Sequence, residues 1–169
     1  QLLVDPSSRM IKIVIFPGWR LEEIGQSVDS LGLNIQSNQL VDLDRDPSLI
    51  ELPAGFERID SLQGYMAPGE YLVTKETSTA EFVTRSLERF ADSITPEISE
   101  QINQSGLSLD QVVILASIIQ REAQRADEMP LIASVFLNRI KLGMRLESDP
   151  TVQYALGYQP TDQSWWKNT

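Results

Sequence analysis

The stretch Ser108-Leu109-Asp110-Gln111-Val112-Val113-Ile114-Leu115-Ala116-Ser117-Ile118-Ile119-Gln120-Arg121-Glu122-Ala123 reads as one helix, and its reading decides how the second half of the chain is built. Ser108 stands where an N-cap belongs, and Val112, Leu115, Ala116, Ile119 and Ala123 recur at helical steps to form an apolar stripe. The expected helix runs from about Leu109 to Ala126. Glu122 follows Ile119, Ile118 and Leu115 at steps of three, four and seven, which plants a carboxylate on a largely buried face. A carboxylate so placed is either a group with a chemical task or half of an ion pair, for which Arg125 or Arg139 would supply the cation.

Downstream, Asp127 is expected to cap a second helix, with Pro130 tolerated in its first turn and Gly143 closing it. A third helix is expected to open at Asp149-Pro150, with Asp149 as N-cap and Pro150 in a position where its missing donor costs nothing. Upstream, the β-branched run Met10 to Phe16 predicts a strand that ends in the turn Pro17-Gly18. Leu21, Ile24, Val28 and Leu31 predict a helix closed by Gly32. Residues 42 to 60, acidic and broken by Pro47, Pro53 and Gly55, read as an irregular solvated connector. Tyr71-Leu72-Val73 predicts a short strand, and Ser78 with Glu81 a capping box that opens a helix through Phe82, Val83, Leu87 and Phe90. The expected fold class is α+β, with strand and helix units to about residue 95 and a mainly helical module beyond it.

The chain has 169 residues, 14 Lys+Arg against 24 Asp+Glu, a net charge of -10, and neither cysteine nor histidine. Disulfides, thiolate zinc sites, thiol nucleophiles and Ser-His-Asp triads are therefore excluded, and acid-base chemistry falls to carboxylates, Tyr or Lys. No metal or cofactor is expected. An acidic chain lacks the basic face that nucleic acid requires. No apolar run approaches the ~20 residues of a membrane span. Because residue 1 is Gln and the sequence stops soon after Trp165-Trp166, the chain is expected to be a fragment of a longer protein.

Four linked motifs narrow the function. They are Leu115-Ala116-Ser117-Ile118-Ile119-Gln120-Arg121-Glu122-Ala123, Ala133-Ser134-Val135-Phe136-Leu137-Asn138-Arg139, Gly143-Met144-Arg145-Leu146, and Ser148-Asp149-Pro150-Thr151-Val152. In this order they resemble the endolytic murein transglycosylases, a bacterial, YceG-like family of peptidoglycan-cleaving enzymes. The likeness extends upstream, where Gly18-Trp19-Arg20-Leu21 with Ile24 is similar to the family's LysM-like region and Leu62-Gln63-Gly64-Tyr65 through Tyr71 to its intermediate motif.

The resemblance implies a LysM-like module over residues 1–95 and a helical catalytic module over 96–169. It makes Glu122 the match to the catalytic glutamate, acting first as acid and then as base. Such an enzyme protonates the oxygen between MurNAc and GlcNAc, and the MurNAc C6 hydroxyl closes a 1,6-anhydro ring. One carboxylate then suffices where ordinary glycosidases need two, because the internal hydroxyl is already held as nucleophile. Asn138, Arg139, Ser117, Asp149, Thr151 and Gln153 are implied to line the cleft. For several a structural role is the alternative: N-cap for Asp149, mid-helix packing for Ser117, and orienting Glu122 or solvating the helix face for Arg139. Tyr65, Tyr154, Trp165 and Trp166 are candidates for stacking on sugar rings, with core packing as the alternative. Residues 121 to 145 hold five basic and three acidic groups, a local excess that suits the carboxylates of peptidoglycan.

The implied setting is an anchor in the inner membrane with the catalytic part on its periplasmic side, glycan strands as substrate and peptidoglycan synthases as neighbours. Two departures stand out. The intermediate motif begins with Gln63 where the family usually has an acidic residue, and Gln120 replaces a frequently acidic position, leaving Glu122 as the only candidate acid in its helix. Two other readings stay open: a non-catalytic peptidoglycan-binding module or scaffold, and a hydrolase pairing Glu122 with a second carboxylate such as Asp149.

Overall fold

The computed structural model of the protein describes residues 9–54, 56 and 58–167; Gly55, read above as a breaker, lies outside them. The chain divides into two compact units, Gln1–Gly106 and Leu107–Thr169.

In the first unit, strand β1 (Ile11–Ile15) pairs antiparallel with β2 (Gly69–Val73), and Ile13 faces Tyr71 in the register. Alternation puts Ile13, Ile15, Tyr71 and Val73 on one buried face. On the other face Lys12 Nζ lies 2.9 Å from Glu70 Oε1, an exposed cross-strand pair. The two strands expected to start separate strand and helix units are thus partners in one sheet. After β1, Gly18 takes φ +78 in a turn closed by the Trp19 amide on the Phe16 carbonyl, a conformation that favours glycine.

Two helices separate the strands, α1 (Leu21–Asp29) and α2 (Ser37–Arg45). Leu21, Ile24 and Val28 bury one face of α1. Leu31, expected on that stripe, lies past the helix end and is exposed. A Cβ on Gly25 would stand 2.8 Å from the Ser37 Cβ, so the close approach of the two helices depends on glycine. Helix α2 runs to Arg45 and a 3-10 turn (Pro47–Leu49) follows, which corrects the expectation of an irregular connector for the first part of residues 42 to 60; residues 51–54, 56 and 58–60 are irregular as expected. The start of α2 is capped from a distance: both Asp29 carboxylate oxygens accept from Ser37, and Thr79 Oγ1 accepts from the Gln36 amide. Asp44 accepts from Ser61 Oγ and the Leu62 amide, pulling the following segment back so that Ile50, Ile59 and Leu62 are buried.

Helix α3 (Thr79–Ser93) opens with Ser78 Oγ accepting from the Glu81 amide and buries Phe82, Val83 and Leu87. Helix α4 (Pro96–Ser105), capped by Thr95, ends at Gly106, which takes φ +73. The unit boundary follows that glycine, so α4 belongs with the first unit rather than with the helices beyond it.

The second unit contains α5 (Leu109–Glu122), α6 (Met129–Lys141) and α7 (Asp149–Leu156). Ser108 and Gln111 form a reciprocal capping box at the start of α5. The helix stops at Glu122, short of the expected Ala126, and Ala123 is already extended. A single 3-10 turn (Ala126–Glu128) leads into α6. Glu128 Oε2 accepts from the Gln124 and Arg125 amides there, while Asp127, the expected cap, pairs instead with Arg125. The core of the unit is Leu115, Ile118 and Phe136, with Leu107, Ile119, Ile132 and Leu146 packed against it. Gly143 closes α6 at φ +66, with the Met144 amide on the Arg139 carbonyl. Among the described residues no single helix is long and apolar enough to cross a membrane.

Candidate functional site

Glu122 is the last residue of α5, one turn past Ile118 and two past Leu115 on the face that carries the core. Its backbone is helical, but its side chain stands where the helix gives out, and it is half-buried rather than enclosed. Neither expected cation meets it. Arg125 spans to Asp127 through two hydrogen bonds of 2.9 Å, and Arg139 lies 3.7 Å from Glu147 while also donating to the Leu146 carbonyl. Glu122 Oε1 accepts instead from Ser148 Oγ, at 2.5 Å.

The segment before α7 explains that contact. Leu146 packs on the core, Ser148 and Pro150 are buried, and Glu147 and Asp149 point to solvent, an alternation of period two. Glu147 holds φ +50, a left-handed conformation that costs a side-chain-bearing residue about 1–2 kcal/mol. Ser148 is the N-cap of α7 by its backbone, which corrects the expectation that Asp149 caps; Asp149 is the first helical residue and is exposed. Yet the Ser148 hydroxyl does not cap. Pro150 has no amide to offer it, and the Thr151 amide is taken by the Ser148 carbonyl at 3.1 Å, leaving the hydroxyl free to turn to Glu122. Thr151 Oγ1 adds a second bond to the same carbonyl, at 2.6 Å.

The remaining candidates fall into three groups. Arg139, half-buried, ties the end of α6 to the Leu146–Glu147 backbone that delivers Ser148, and Thr151 braces that backbone from the other side. Asn138 on α6 is exposed and Gln153 on α7 half-buried; Ser117, also exposed, spends its hydroxyl on the Ile114 carbonyl. Tyr65 belongs elsewhere. It is 3% exposed in the first unit, its ring packed against Phe56 and Phe90, so it is a core residue and not a surface for sugar. Its neighbour Gln63 accepts from the Leu21 amide at the start of α1, which gives the departure at that position a structural task.

Near the second unit's own end, the Arg121 guanidinium lies 3.9 Å from the centroid of the Trp166 ring, with Tyr154 beside that ring at 6.5 Å and Tyr158 against Trp165 at 5.2 Å. Arg121 precedes Glu122 in α5, so this aromatic group is anchored on the helix that carries the carboxylate. Among the described residues no three acidic groups gather as a metal ion would need. The residue missed from sequence is Ser148. A serine directly before Asp-Pro was its signal, since the proline removes one of the amides that would otherwise claim the hydroxyl.

A sequence model of the YceG-like family matches residues 1–168. The chain belongs to the YceG-like family. An endolytic murein transglycosylase of Bacillus subtilis is 31% identical over 96 residues, covering 57% of this chain and 27% of that protein. One from Streptococcus pneumoniae is 28% identical over 96 residues, covering 57% of this chain and 17% of that protein. The chain therefore spans about a quarter or less of these YceG-like relatives. The crystal structure of a YceG-like protein from Listeria monocytogenes superposes with a TM-score of 0.76 at 26% identity, over 96% of this chain and 56% of that one. The α+β architecture is that of the YceG-like fold.

Proposed function

We propose that this chain carries the catalytic unit of a lytic transglycosylase that cuts peptidoglycan glycan strands internally, between MurNAc and GlcNAc, with Glu122 as the single acid and base. The observation that supports it is Glu122 at the end of α5 with Oε1 held by a buried serine, in a YceG-like chain whose relatives carry that enzyme's name. The proton on the glutamic acid passes to the glycosidic oxygen as the bond from MurNAc C1 to that oxygen breaks, and GlcNAc leaves with a free O4 hydroxyl. The MurNAc O6 bonds to C1, and its proton returns to the Glu122 carboxylate. No water enters, and the acid is regenerated. An intramolecular hydroxyl costs little to position, so one carboxylate performs both transfers.

The first unit, with two helices between two antiparallel strands, is read as a LysM-like glycan-holding module. The substrate implies a site of action outside the inner membrane, with anchoring there and proximity to peptidoglycan synthases as parts of the same proposal. Glycan strands digested by the full-length protein are expected to end in 1,6-anhydro-MurNAc, and Glu122→Gln to lower kcat by about 10²–10⁴-fold. Full activity of Glu122→Gln overturns the reading. Products heavier by one water replace it with a hydrolase, for which exposed Asp149 is the first second carboxylate to test. Glycan binding indifferent to Glu122, with no cleavage, replaces it with a binding module.

A further inference from the structure

We propose that Ser148 is a positioning residue that decides which oxygen of Glu122 carries the proton; the proposal rests on the reading of Glu122 as acid and base. Ser148 Oγ lies 2.5 Å from Glu122 Oε1, and toward the ionised carboxylate, which can only accept, the hydroxyl is the donor. With Ser148 donating to Oε1 throughout the cycle, Oε1 is the carbonyl oxygen of the neutral acid and the acidic proton is carried on Oε2. The glycosidic oxygen therefore takes its proton from Oε2, and the MurNAc O6 proton returns to the same atom. Ser148 itself gains and loses nothing across the cycle.

Three features show that the serine is held for this purpose rather than for its helix. Its hydroxyl makes no cap although its backbone occupies the N-cap of α7. It is 3% exposed, so water does not compete for the bond. The backbone on both sides is fixed: Arg139 donates to Leu146, Glu147 keeps a left-handed φ of +50°, and the Thr151 hydroxyl closes on the Ser148 carbonyl. Non-glycine residues in that conformation gather where surrounding structure over-determines them, as at sites that must be pre-organised. Arg139 and Thr151, candidates for touching sugar, thereby act on the glutamate through Ser148.

The test uses the full-length protein and purified glycan strands. Ser148→Ala is expected to lower kcat by about tenfold to a hundredfold with KM changed less than about twofold, as for a hydrogen bond lost from Glu122 once proton transfer has left it a charged carboxylate. Ser148→Thr, which keeps the hydroxyl, is expected to restore most of the rate. In a Glu122→Gln background, Ser148→Ala is expected to change the residual rate little, because the two side chains act as one unit. Unchanged kcat in Ser148→Ala beside an inactive Glu122→Gln overturns the role of Ser148 and leaves Glu122 standing. Equal loss in the Ala and Thr variants, with matching loss of thermal stability, reduces Ser148 to a structural residue. Full activity in Glu122→Gln instead removes the reading beneath both.

Discussion

Helices α3 and α6 are of similar length, 15 and 13 residues, yet they treat their apolar side chains differently. Helix α3 buries Phe82, Val83 and Leu87 along one face. Helix α6 buries only Phe136, and Leu131 stands 71% exposed, with Val135, Leu137 and Ile140 also open. The same contrast runs through the two units. The first closes over a core that includes Ile13, Ile24, Leu40, Leu62 and Leu87, whereas the second encloses three large residues. What fixes the second is a set of polar ties at element ends: Ser108 with Gln111, Glu128 on two amides, Arg139 on Leu146, and Ser148 on Glu122. Packing makes the first unit stable, and directed bonds aim the side chains of the second. The candidate site, Glu122 with Ser148, lies in the unit held by directed bonds.

The sharpest way to break this contrast is to hollow each core. Phe82→Ala should cost about 3–5 kcal/mol, since its neighbours are closed on every side, and Phe136→Ala should fall at or below the low end of that range. Hydrogen exchange of α3 and α6 amides reads the two separately, and equal costs would erase the distinction. A smaller effect is expected at Gly25→Ala, where the new Cβ meets Ser37 at 2.8 Å; overpacking of this kind costs about 1–3 kcal/mol, seen as a lower urea midpoint for the first unit alone. The smallest is a pH effect. Burial alone would push the Glu22 carboxyl up, but the hydrogen bond from Arg20, the residue's own backbone amide and the Arg20 charge outweigh it and hold that carboxyl below its usual value. The stabilisation is therefore complete above the unfolded value of about 4.3 and is lost as pH falls through the lower folded value. Acid titration of thermal unfolding should show this loss in the first unit, and Glu22→Gln should flatten it.

Local signals carried much of this structure. The alternation of β1, the caps of α3 and α5, the glycine after α6 and the helical face that carries Glu122 were legible because each depends on neighbours within a few positions, whereas the end of α5 at Glu122 was not. What was not legible depends on distant partners. Helix α2 has only Leu40 and Leu43 as buried residues, and its start is capped by Asp29 and supported by Thr79, so no local period announces it. Tyr65 could be read as a sugar platform or as core, because an aromatic residue in a glycine-containing motif does not reveal which rings it will meet, here Phe56 and Phe90. At the site, the carboxylate was readable and its partner was not. Arginine is the obvious companion for a half-buried glutamate, but Arg125 is paired with Asp127 and Arg139 with the Leu146 carbonyl, and an uncharged hydroxyl takes the place.

The pairing of β1 with β2 joins Lys12 to Glu70 across 58 positions. On a growing chain, β1 therefore leaves the ribosome long before its partner exists, and Ile13 and Ile15 wait without the strand that completes their sheet. The second unit closes over shorter spans: α5 packs against both α6 and α7, and Ser148 reaches Glu122 across 26 positions. Each doubling of loop length adds about 0.6 kcal/mol of closure entropy, so closing the sheet is a slower step than joining Ser148 to Glu122.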